Sequence, residues 1–94
     1  MKEVGARLRR TREALAYPEI KPFAEDTGVT EDALSSWERG VNRVPDYYLR
    51  RLKERFAITS DWILFNDPSG LPQKIASALF HTNVVAIPSP RRPR

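Results

Sequence analysis

An all-α fold is what this 94-residue sequence predicts, and three observations predict it. Apolar residues return every three or four positions through most of the chain, which is the spacing of one helix face. Pro18, Gly28, Gly40 and the Asp67–Gly70 stretch fall between those segments, where helices must stop. The one β-branched run that reads as a strand, Asn83 to Ile87, is short and close to the end. A chain of this length allows one compact domain.

Val4, Leu8, Thr11 and Leu15 stand at 4-3-4 spacing and define the inner face of a first helix. Tyr17-Pro18 is expected to end it, because the residue before a proline is pushed out of the helical region. A short second helix follows, with Pro22 tolerated only in its first turn and Phe23, Ala24 and Thr27 on its inner side. Gly28 suits the left-handed residue just past that helix. Val29 is expected to be buried in the turn, and Thr30 is a good N-cap for a third helix. That helix runs to about Arg39, with Ala33, Leu34 and Trp37 inward, and Gly40 stops it.

Pro45 reads as an early position of a fourth helix whose stripe is Tyr48, Leu49, Leu52 and Phe56. Thr59 or Ser60 caps a short fifth helix holding Trp62, Ile63 and Leu64. Asp67-Pro68-Ser69-Gly70 has the composition of a turn. Ile75, Ala76, Leu79 and Phe80 give a sixth helix over residues 72–80. From Pro88 onward prolines alternate with arginines and serine, and an extended basic tail is expected. The chain thus divides into a helical unit over residues 1–66, a C-terminal helix and strand over 67–87, and a flexible tail over 88–94.

Composition removes several function classes. There is no cysteine, so there is no disulfide framework, thiolate zinc site or cysteine nucleophile. The one histidine, His81, lacks the companions of a metal site or a triad. No metal, no cofactor and no enzymatic activity are expected. No apolar run is long enough to span a membrane. The first fifteen residues are too charged for a signal peptide, and a cytoplasmic protein is expected.

The net charge of +4 suggests an anionic partner only weakly, but its distribution says more. Lys2, Arg7, Arg9, Arg10 and Arg12 oppose Glu3 alone in the first twelve residues. Between Glu19 and Glu38 six acidic side chains face only Lys21, a net of −5. Arg39, Arg43, Arg50, Arg51, Lys53 and Arg55 then restore a basic segment, and Arg91, Arg92 and Arg94 close the chain.

Two short helices joined by a three- or four-residue turn containing glycine describe a helix-turn-helix. Ala24 is small where two helices must cross closely, Gly28 comes four residues later in the turn, and Leu34 anchors the next helix. Around these stand Arg7-Leu8-Arg9, Arg12-Glu13-Ala14-Leu15, Phe23-Ala24 and Gly28-Val29-Thr30. Leu34-Ser35-Ser36-Trp37-Glu38-Arg39-Gly40, Pro45 and Ser60-Asp61-Trp62-Ile63-Leu64 continue the set. In this order, over residues 4–66, the chain resembles the Cro/cI-type (Xre-type) helix-turn-helix repressors of phages and bacteria.

The resemblance implies a five-helix bundle in which the second and third helices make the reading unit and the third lies in the major groove. It assigns base reading to Thr30, Glu31, Asp32, Ser35 and Ser36. It assigns phosphate contacts to Arg39, Asn42 and Arg43 around the loop after the third helix. Arg9 on the basic first helix and Lys21 on the second join them. Arg12 and Glu38 match a pair that ties the first helix to the third, and are read as structural. The function implied is a sequence-specific transcriptional regulator, a dimeric repressor on a palindromic operator in double-stranded DNA.

The chain departs from that pattern in two places. Glu19-Ile20 stands where Ser-Gln is common, in a connection one residue longer, and Lys21 or the backbone N–H groups there must replace the lost phosphate contact. Glu31-Asp32 stands where related readers usually carry Gln, Ser, Arg or Lys. A carboxylate can accept from cytosine N4. It can equally stabilise the helix start through the dipole, by roughly 0.3–1 kcal/mol.

Other residues have plainer readings. Trp37 and Trp62 fall at core spacing, and of Tyr47 and Tyr48 one is core and one surface. Arg50, Arg51, Lys53 and Arg55 read as a solvated helix face. A lone strand at the end of a helical domain has nothing to pair with inside it. A homodimer through Leu79, Phe80, Val84, Val85 and Ile87 is therefore expected. With no self-cleavage or ligand-binding domain after the reader, control would come from the protein's own concentration or from a partner. The rival is a protein-interaction module, an antiactivator or antitoxin, whose acidic central face binds another protein.

Overall fold

Caps and left-handed residues cut the described residues into six α-helices. The structure, a computed structural model, describes residues 2–80. Its elements are α1 (Lys2–Ala14), α2 (Ile20–Thr27), α3 (Glu31–Glu38), α4 (Asp46–Phe56), α5 (Ser60–Phe65), a 3-10 turn (Pro68–Gly70) and α6 (Gln73–Leu79). The described residues are all-helical, as expected, and contain no strand. The strand expected at 83–87, with Val84, Val85 and Ile87, lies outside them, as do His81 and the tail over 88–94.

Thr30 caps α3 by accepting from the Ala33 N–H at 3.0 Å. Thr59, rather than Ser60, does the same for α5, accepting from the Trp62 N–H at 3.1 Å. Gly28 closes α2 at φ 75°, in the left-handed region that glycine enters without a Cβ penalty. Pro45 sits just ahead of α4 as its N-cap, not inside it. The end of α1 corrects the sequence reading. Ala16 is left-handed at φ 72°, the Tyr17 N–H donates to the Arg12 carbonyl at 3.1 Å, and the Ala16 N–H donates to that of Glu13 at 3.0 Å. The chain therefore reverses before Pro18 can act.

Leu8, Phe23, Leu34, Tyr48, Leu52, Ile58, Trp62 and Ile63 are fully buried and form one core, with Ala24, Trp37, Val44 and Leu49 beside them. Each large apolar side chain there contributes about 1.5–3 kcal/mol of transfer free energy. α1 is the central strut, packing against α3, α5 and α6. Gly5 makes the α1–α3 approach close: a Cβ there would overlap the backbone carbonyls of Trp37 and Glu38. Buried polar groups find partners. The Trp62 indole N–H donates to Thr11 Oγ1 at 2.8 Å, and that hydroxyl donates to the Arg7 carbonyl at 2.7 Å. Thr27 Oγ1 lies 2.9 Å from the Tyr48 hydroxyl, whose burial pushes its pKa up to about 12.

The arginines are not all solvated. Arg51 donates to the Thr27 carbonyl at 2.7 Å and Arg55 to that of Asp26 at 2.6 Å. Both neutralise the negative end of α2. Arg50, Lys53 and Arg55 nevertheless remain exposed, as expected, and Arg51 alone of the four is half-buried. Arg7 caps α5 in the same way, donating to the carbonyls of Ile63 at 2.9 Å and Leu64 at 3.2 Å. Arg10 lies 5.6 Å from the ring centres of both Trp62 and Phe80 and donates to the Leu79 carbonyl at 3.4 Å. Leu79 and Phe80, expected at a dimer contact, are thus half-buried against their own bundle. No helix among the described residues is long and apolar enough to cross a membrane.

Candidate nucleic-acid interface

The spacing of Leu34, Trp37 and Glu38 decides which way α3 faces, because all three point inward. Leu34 and Trp37 enter the core, Trp37 packing 4.7 Å from the Tyr48 ring centre. Glu38 is buried beside Arg12, each side chain only 4% exposed. Arg12 Nε donates to Glu38 Oε2 at 2.8 Å and its Nη2 to Oε1 at 3.1 Å. Its Nη1 donates to the Tyr17 carbonyl at 2.7 Å. The hydrogen bonds to Glu38 raise the pKa of Arg12 above its ordinary value, against the desolvation that lowers it. This bidentate pair ties the last residue of α3 to α1 and to the chain reversal after α1.

What remains of α3 is a polar outer face. Thr30, Glu31, Asp32 and Arg39 are exposed, and Ser35 and Ser36 are half-buried. Asp32, Ser35, Ser36 and Arg39 are three, four and seven residues apart, and so share one side of the helix. Arg39 Nε donates to Ser35 Oγ at 3.2 Å. After α3, Gly40 at φ 75° turns the chain back. The Val41 and Asn42 N–H groups then reach the Ser36 carbonyl at 3.0 and 3.4 Å. The Asn42 side-chain amide donates to Ser36 Oγ. Asn42, expected on a phosphate, is therefore engaged with the helix it follows, while Arg43 stays exposed beyond it.

A groove between α1, the start of α2 and α3 is lined by Arg9, Arg12, Ile20, Ser35, Glu38 and Arg39. It brings Arg9, Arg39 and Ser35 to one end of the α3 face. Arg9 also makes an exposed ion pair with Glu13 at 3.3 Å, of the kind worth little in water. Lys21 is exposed in the first turn of α2, and the N-cap there, Glu19, makes no side-chain capping bond.

The acidic middle is not one acidic face. Glu38 is buried against Arg12, and Asp26 accepts from the Tyr17 hydroxyl at 2.6 Å. Glu31 and Asp32 remain exposed at the start of α3, where the helix dipole favours them. Among the described residues no three His, Cys, Asp or Glu side chains gather as a metal site.

Sequence reasoning missed Gly5 and the three capping arginines Arg7, Arg51 and Arg55. Gly5 did carry a signal, a residue without a Cβ one position from the inner stripe of α1. The arginines carried none, since their acceptors lie far away in the chain. No protein-family model, no curated protein and no solved structure matches the chain.

Proposed function

We propose that the protein is a sequence-specific DNA-binding transcriptional regulator with a Cro/cI-like helix-turn-helix. In this reading α2 and α3 form the reading unit, and α3 enters the major groove. The observation that carries it is the way α3 is held. Leu34, Trp37 and the Arg12–Glu38 pair fix its inner side, which leaves Thr30, Glu31, Asp32, Ser35 and Ser36 facing out. Arg9 and Arg39 line the groove at one end of that face, and with the exposed Lys21 and Arg43 they would supply the phosphate contacts that set register on a duplex. The reading needs no metal, cofactor or chemical step.

A homodimer completes the proposal, since two copies would double the readable sequence and match a palindromic operator. Repression follows when the bound pair occludes a promoter. Selection from a randomised duplex pool at near-physiological salt tests this. The expected product is a palindrome whose half-sites lie about 10 base pairs apart. A single enriched half-site would remove the dimer and keep the reader.

One observation favours the protein-binding reading. Phe65 is 73% exposed, next in sequence to Leu64, which lines a mainly apolar cleft with Val4, Trp37 and Val44, with Asn42 and Arg43 at its polar side. An apolar surface of this kind suits a protein partner. A folded protein that enriches no duplex would favour that reading over the first.

A further inference from the structure

Resting on the DNA reading, we infer that Asn42 is a positioning residue that fixes the hydrogen-bond sense of Ser36, so that α3 offers acceptors on its first turn and donors on its second. A serine hydroxyl has one proton to give and lone pairs to receive with. The Arg39 guanidinium has donors only, so Ser35 Oγ must accept from it and keeps its own proton. The Asn42 amide nitrogen likewise only donates, so Ser36 Oγ accepts and keeps its proton. Among the described residues neither hydroxyl donates to another protein group.

Both serines therefore direct an O–H outward. The base groups that accept it in a major groove are purine N7, guanine O6 and thymine O4. Glu31 and Asp32, one turn earlier, present carboxylate oxygens, which accept only. They match the amino groups of cytosine and adenine. The half-site expected of this helix is thus an exocyclic amino group toward the start of α3, followed by an acceptor edge at Ser36. Asn42 acts on the second position without reading a base itself.

The test compares base preferences selected from a randomised duplex pool by the wild-type chain and by Ser36→Ala, Asn42→Ala and Asn42→Asp. Ser36→Ala identifies the base position that Ser36 reads, as the one whose preference disappears. At that position the wild-type protein should favour guanine or thymine, whose major-groove polar atoms are acceptors only, by about fivefold. Asn42→Ala should flatten the preference there and leave the others intact. Asn42→Asp places a group that can only accept beside Ser36, which must then donate to it and turn its lone pairs outward. Preference should move to cytosine, whose edge offers only the N4 amino donor. The same base selected by wild type and both Asn42 variants overturns the inference, as does a wild-type preference for cytosine, the base whose edge offers only a donor. A wild-type protein that enriches no duplex overturns the DNA reading, and the inference with it.

Discussion

Gly5→Ala is expected to destabilise the protein by about 2–3 kcal/mol, in spite of the roughly 1 kcal/mol that alanine gains over glycine inside a helix. The added Cβ meets the carbonyls of Trp37 and Glu38, and backbone does not rotate away as a flexible side chain does. Either α1 or α3 must shift, and both carry fully buried side chains, Leu8 and Leu34 among them. Urea unfolding of the wild type, Gly5→Ala and the exposed-site control Ala6→Gly measures this directly. The control should lose only about 1 kcal/mol through helix propensity. A Gly5→Ala protein as stable as wild type would mean that the α1–α3 contact is looser than the structure shows. Small domains have only about 5–15 kcal/mol in all, so the expected loss should also be visible as a lower melting temperature.

Glu38→Ala should cost more, about 3–5 kcal/mol, because it leaves the Arg12 guanidinium buried without its carboxylate. Arg12 would keep only its bond to the Tyr17 carbonyl. The double substitution Arg12→Met with Glu38→Leu removes both charges together and should recover most of the loss. The same urea experiment measures both variants. A double variant as unstable as Glu38→Ala would show that the pair stabilises through something other than mutual neutralisation. The functional consequence follows from position: Glu38 is the last residue of α3, so freeing it loosens the helix proposed to read bases.

The sequence and the structure agree best where a single residue type has a local physical job. Thr30, Gly28 and Gly40 were legible, and the α5 cap was narrowed to Thr59 or Ser60, because caps and left-handed turns depend on one side chain and its neighbours. The inward stripes of α2, α3 and α4 were legible from spacing alone. Ala16 and Ala57 were not, because alanine carries no turn preference and is left-handed here only because the following segment must return to the core. The capping bonds of Arg51 and Arg55 were hidden for a related reason, although Arg55 itself is exposed as expected. Whether an arginine meets water or the carbonyl end of another helix depends on which helix lies opposite, and charge counting does not contain that information.

For the candidate site, the exposed face of α3 could be read from the helix period. The partners of Ser35 and Ser36 could not, since the Asn42 contact depends on how the loop after Gly40 folds back.

The claim that exposed cations around α3 hold duplex DNA is tested most directly by the salt dependence of binding. Affinity for a fixed duplex would be measured by fluorescence anisotropy across a series of salt concentrations, for the wild-type protein and for Arg43→Ala. With Arg9, Lys21, Arg39 and Arg43 each on a phosphate, the logarithm of the binding constant should fall with a slope of about −3 to −4 per copy. Arg43→Ala should make that slope shallower by about 1 and weaken all duplexes alike. A flat dependence, or one that Arg43→Ala leaves unchanged, would contradict the account of this face as a phosphate-gripping surface.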